Sequence, residues 1–160
     1  MEAPKMKRVV IACDYHQTAQ KTVEEGYTLA KSIGAEVYLL HIVDHYSYYK
    51  LTEFPQDERF AQCMKLNSLQ LEEIEERLVE LEKYLENIKK YLNDTGILTI
   101  VKDGDPTESI IKEAEDIEAD IIVINSHSRK WTENMTMGSV AEKLFKHSPV
   151  PLLIVPVKKH

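Results

Sequence analysis

The sequence predicts an open α/β domain, a parallel sheet of five strands with helices on both faces, and three observations predict it. Short apolar runs rich in valine and isoleucine recur along the chain and read as strands. Longer segments of helical period separate them, so each strand can return parallel to the last. The runs are continuous rather than alternating, which is the pattern of strands buried on both faces. At 160 residues the chain suits a single domain, residues 1–160, with one well-formed sheet.

Taken in order, the first strand is "RVVIAC", Arg8 to Cys13. The helix after it runs through "TAQKTVEEGYTLAKSIG", where Ala19, Val23, Tyr27, Ala30 and Ile33 recur on one face and Gly34 supplies the stop. The second strand is "EVYLLHIV", Glu36 to Val43. Asp44 to Asn67 has no clear period and carries Tyr46, Tyr48 and Tyr49. Its first half reads as a loop over one end of the sheet, with the tyrosines as a lid or packing feature, since no basic groove accompanies them.

A long crossover helix is expected over about residues 66–93, where Leu71, Ile74, Leu78, Leu81, Leu85, Ile88 and Leu92 repeat in steps of three and four. Glutamates at 72, 73, 75, 76, 80 and 82 make the other faces acidic. The stripe fits packing on the sheet; the alternative is a partner helix in an oligomer. Gly96 falls near the position of a left-handed helix cap. The third strand is Ile97 to Lys102, then a helix from Pro106 to Ile117, a fourth strand from Asp120 to Asn125, a helix from Ser139 to His147, and a fifth strand in "PLLIVPV", Pro151 to Val157.

Composition excludes several classes of function. A net charge of −7 with 29% charged residues, and basic residues that gather no further than isolated pairs such as Lys89–Lys90 and Lys158–Lys159, argues against a nucleic-acid surface. Val9 to Ala12 is far shorter than the ~7–15 apolar residues of an export signal, and no run approaches the ~20 of a membrane helix. Two cysteines, Cys13 and Cys63, form neither a CxxC pair nor a disulfide framework, which fits a reduced, cytoplasmic setting.

In an open α/β sheet, ligands bind beyond the carboxyl ends of the strands where the strand order reverses. Those positions are Asp14, Val43, Asp103 to Asp105 and the loop from Asn125 to Ser139. Neither G-x-x-x-x-G-K-[ST] nor G-x-G-x-x-G occurs. Gly138 and Ser139 still enter a helix, where close backbone approach, a hydroxyl and helix-start amides suit an anion; an ordinary N-cap is the competing reading.

The layout resembles the universal stress protein family over nearly its full length. The resemblance is carried by "VVIACD", "LLHIVD", "KDGDPTESIIKEAED" and, most specifically, "GSVAEKLFKHSPVPLLIVP". It implies a Rossmann-like sheet in the order 3-2-1-4-5, with Asp14 and the loop after Asn125 meeting across one crevice, and homodimers through the last strand. The nucleotide-binding branch has G-x-x-G, nine residues and G-[ST] after the fourth strand. That pattern falls on Asn125, Ser128, Gly138 and Ser139, with the spacing kept and two glycines replaced.

By the same resemblance Asp14 is the aspartate at the ribose or adenine side, Val43 the residue whose backbone meets adenine, and Val140 lies at the helix start. An asparagine tolerates the left-handed region, so Asn125 is expected to keep the backbone path. Ser128 adds a hydroxyl that could crowd or hold a phosphate, and Arg129 with Lys130 adds positive charge. Tyr15, where the family has a small residue, brings a phenol that can swing into the crevice. The expectation is a degenerate pocket for ATP or another adenine nucleotide, with Mg2+ entering beside it, and binding rather than turnover. The rival is a dimeric regulator that binds no nucleotide and meets protein partners, with its acidic long helix as one surface.

Other chemistry is weaker. His41 and His45 are four residues apart but span a strand end and a loop, a poor metal pair. His127 lies among serines without a nucleophile elbow, and reads as a loop-organising hydrogen bonder. Cys13 reads as a small core residue, and Asp103 and Asp105 as turn and N-cap chemistry before Pro106.

Overall fold

The computed structural model describes residues 5–43, 55–66, 74–126 and 137–157. Five strands, β1 (Arg8–Ala12), β2 (Glu36–Val43), β3 (Leu98–Asp103), β4 (Ile121–Asn125) and β5 (Leu152–Val155), form one parallel sheet in the order β3-β2-β1-β4-β5. The expected architecture and strand order are present. Among the described residues there are five helices: α1 (Ala19–Ser32), α2 (Glu58–Cys63), α3 (Ile74–Tyr91), α4 (Pro106–Ile117) and α5 (Ser139–His147).

Successive side chains of a strand point to opposite faces, and here both faces are apolar. Val9, Ile11, Leu39 and Val123 meet α1, α2 and α3 in one core, where Phe60, Leu81, Tyr84, Leu85 and Ile88 are also buried. Val10, Leu40, Ile122 and Ile124 meet α4 and α5 in the other, against Ile110, Ala114, Ala141 and Leu144. The leucine stripe of α3 is thus spent on the protein's own sheet: Leu81, Leu85 and Ile88 are fully buried, and Leu78 and Leu92 pack against them. Leu71 lies outside the described residues.

Local chemistry sets the ends of these elements. Asp105 caps α4, its carboxylate accepting the amide of Glu108 at 3.0 Å, with Pro106 following. Asp57 caps α2 through the amide of Arg59 at 2.9 Å. The left-handed residue that closes α3 is Asn93 (φ 53°), not Gly96. The amide of Asp94 returns to Lys89 O at 3.3 Å and that of Asn93 to Lys90 O at 3.0 Å, which satisfies the last carbonyls before Gly96 is reached. Asp120 takes the amides of Lys7 (2.7 Å) and Arg8 (3.0 Å), pinning the start of β4 against β1. That fixes the register Val9–Ile121 and Ile11–Val123, and so the way the two strand ends meet.

Candidate functional site

The strand order reverses between β1 and β4: the chain leaves β1 towards β2 on one side and reaches β4 on the other. The register sets Cys13 level with Asn125, so Asp14 emerges at the mouth of that gap. There the Nδ2 amide of Asn125 donates to Oδ1 of Asp14 at 3.3 Å. Two residues 111 positions apart in sequence, both predicted at the site, are therefore in contact.

The backbone under Asp14 is held from the β2 and α3 side. The amide of Cys13 donates to Leu40 O at 2.8 Å, and Nδ1 of buried His41 donates to the Cys13 carbonyl at 2.7 Å. The phenol of Tyr84, fully buried on α3, donates to the carbonyl of Asp14 at 3.0 Å. A buried carbonyl without a partner would be costly, so Tyr84 and His41 are the groups that allow this strand end to sit against the core. Tyr84 is signalled only indirectly in the sequence, as an aromatic with a polar tip on the same helical face as Leu81, Leu85 and Ile88.

Tyr15 does not stand loose over the crevice. Its phenol donates to the carbonyl of Met64 just beyond α2, and its ring meets Tyr84 edge-on with centroids 5.0 Å apart. Burial raises the Tyr15 phenol to about 12, so it remains a protonated donor at neutral pH. Burial also pushes the Tyr84 phenol well above its usual value. Cys13 is a core residue, as expected; burial first and Asp14 second push its thiol up, which removes it as a nucleophile.

On the other side of the gap, Ser126 gathers three segments. Its amide donates to Val155 O at 3.0 Å, its hydroxyl accepts the amide of Val157 at 3.0 Å, and its carbonyl accepts the amide of Gly138 at 3.0 Å. The last bond ties together the two ends of the loop between them, so the start of α5 sits beside the end of β4. Gly138 is buried and is the N-cap of α5, with φ −70° and ψ 163°. It has no side chain to cap the helix, and α5 presents its first-turn amides, at Ser139 and Val140 among others, where an anion is favoured.

One expectation about backbone changes, and one holds. Asn125 is an ordinary strand residue and not among the positions of positive φ, so its side chain and not its tolerance of the left-handed region is what it contributes. Gly138 is likewise in an extended conformation open to any residue, and its value lies in lacking a Cβ. Val43, buried at the end of β2, already accepts the amide of Gly104 at 3.1 Å on its carbonyl. One lone pair of that carbonyl remains. Ser128 and Arg129 lie outside the described residues, as do His45, His127, Lys130 and Trp131. Among the described residues no group of three or more His, Cys, Asp or Glu gathers as metal ligands.

The comparisons with known proteins agree with the fold. A model of the universal stress protein family matches residues 5–156. A universal stress protein of Methanocaldococcus jannaschii is 32% identical over 161 residues, covering 95% of this chain and 96% of that protein. The solved structure of that protein aligns with a TM-score of 0.69 at 29% identity, covering 98% of this chain and 100% of the other. Two solved members share the fold at lower identity. One, in complex with cAMP, has a TM-score of 0.60 at 16% identity and covers 95% of this chain and 98% of its own. The other, from Arabidopsis thaliana with AMP bound, has a TM-score of 0.57 at 18% identity and covers 95% and 92%. With the fold, the strand order and the family model in agreement over almost the whole chain, the protein belongs to the universal stress protein family.

Proposed function

We propose that the crevice between β1 and β4 binds an adenine nucleotide, ATP or a relative of it, and that the protein acts by holding that ligand rather than by turning it over. The observation that carries this reading is the contact between Asp14 and Asn125 at the switch point, with the N-terminus of α5 tied beside it through Ser126. A carboxylate accepts hydroxyl groups of a sugar, and helix-start amides favour a phosphate; the two lie on opposite sides of one gap. Family members solved with AMP and with cAMP support the class of ligand. In this reading Ser128, Arg129 and Ser139 serve the phosphates, Val43 the base through its backbone, and Mg2+ enters with the phosphates, which supply its oxygen ligands.

The protein is proposed to work as a cytoplasmic homodimer of one domain per chain. β5 is an edge strand whose Leu152, Leu153 and Ile154 are only partly buried, and Phe145 of the neighbouring α5 is 69% exposed. A short apolar edge of this kind is stabilised by pairing across a two-fold axis. Among the described residues no helix is long and apolar enough to cross a membrane.

One observation favours the rival, a dimeric regulator that binds no nucleotide and meets protein partners: Asn125 places a side chain in the gap where the family pattern has glycine. The deciding experiment is to denature the purified protein, identify any released nucleotide by chromatography, and titrate the stripped protein with ATP by calorimetry. Released adenine nucleotide or a saturable heat supports the sensor reading. An empty protein with no heat refutes it.

A further inference from the structure

We propose that Asn125 is a positioning residue for ligand selection: its amide holds the Asp14 carboxylate so that the site reads the hydroxyl groups of a ribose. This rests on the nucleotide reading above and deepens it, because it assigns a task to the one position where this chain departs most plainly from the glycine pattern.

The argument begins with what Asn125 is not needed for. Its backbone is that of an ordinary strand end, so no conformational reason selects asparagine there. What distinguishes it from a smaller residue is the side-chain amide, and that amide donates to Oδ1 of Asp14 at 3.3 Å. Asp14 is otherwise gripped through its backbone: Tyr84 donates to its carbonyl at 3.0 Å from α3. Among the described residues no second donor reaches its carboxylate. Backbone and side chain are thus held from opposite sides of the gap, by α3 and by β4.

The remaining carboxylate oxygen can only accept. It would repel a phosphate, so the group that it selects is a neutral donor, and on a nucleotide those donors are the sugar hydroxyls. A carboxylate fixed in advance loses little freedom on binding and discriminates sharply, because a ligand without the hydroxyl leaves a desolvated acceptor unpaired. A carboxylate free to turn towards solvent would recover most of that loss and discriminate poorly. Asn125 decides which of the two Asp14 is.

The test is calorimetric titration of wild type, Asn125→Ala and Asn125→Gly with ATP, 2′-deoxy-ATP and 2′,3′-dideoxy-ATP, with thermal unfolding as a check on the fold. The wild type is expected to prefer ATP over the dideoxy analogue by about tenfold or more. Both variants should lose most of that preference, weakening ATP while leaving the dideoxy analogue nearly unchanged. If the Ala and Gly variants unfold, Asn125→Leu, which keeps most of the volume and removes the donor, must show the same collapse of the ratio. An Asn125→Gly protein that binds all three ligands more tightly with the preference intact would overturn the proposal, making Asn125 a mere obstruction. So would a wild type that binds all three alike. Wild type that binds none of them overturns the nucleotide reading itself, and the positioning role falls with it.

Discussion

Gly26 sits in the middle of α1, where a glycine normally costs a helix about 1 kcal/mol relative to alanine. Gly26→Ala therefore has a built-in stabilising component, and the structure says that it is outweighed. A Cβ at this position would lie 2.9 Å from both Cγ1 and Cδ1 of Ile11 on β1, and 3.1 Å from Cγ1 of Val123 on β4. Cδ1 is the end of a side chain and can swing, but Cγ1 is not, and both strand residues are fully buried, so neither has a void to retreat into. Overpacking of a close-packed core costs roughly 1–3 kcal/mol, which leaves a net loss of about 1 kcal/mol after the helical gain. Urea unfolding followed by far-ultraviolet circular dichroism measures this directly, and the melting temperature should fall by about 2–4 °C. A variant more stable than wild type would refute the reasoning, since it would mean that α1 can rise off the two strands at no cost. Those are the strands whose ends carry Asp14 and Asn125.

Gly138→Val should fold, because its backbone is extended, but lose nucleotide affinity by tenfold or more as its side chain displaces the phosphate from the start of α5; unchanged affinity would remove this loop from the site. Ile154→Lys, on the partly buried edge strand, should convert the proposed dimer to a monomer in light scattering, and an unchanged mass would place the interface elsewhere. Val155 would be a poor probe, since it is buried in the core on the α1 face. The Asp94 carboxyl is held at about 2 by the phenol of Tyr27, then Lys31 and the amide of Gly96. A carboxylate lowered on folding contributes stability that is present above its unfolded value near 4 and lost as pH falls towards 2. Asp94→Asn should accordingly flatten the decline in urea midpoint between those limits; an equal slope in both proteins would show that Asp94 is not a linked group.

The architecture was legible because β-branched runs and helical spacing repeat along the chain, and because the strand order follows from the family resemblance. The missed helix α2 shows the limit: six residues, Glu58–Cys63, make less than two full turns and carry no period to detect. Glycine is the usual left-handed residue and Gly96 falls near the cap position of α3, whereas Asn93 reaches that region first and closes the helix with its own amide. At the site, Asp14 and Asn125 were singled out, but their direct bond depends on a register between strands 111 residues apart, which no local pattern encodes. The tether of Tyr15 to Met64 and the hold of Tyr84 on Asp14 are likewise contacts between distant segments.

Ser126 has a consequence for how such a site can diversify. Because its carbonyl binds the amide of Gly138, both ends of the intervening loop are anchored at one residue, and its hydroxyl and amide secure the end of β5 at the same point. Closing a longer loop between fixed ends costs only about 0.6 kcal/mol per doubling of length. The segment between them is therefore a cassette clipped at both ends into one permanent fitting, so that its length and sequence can change at little cost to the sheet that carries it.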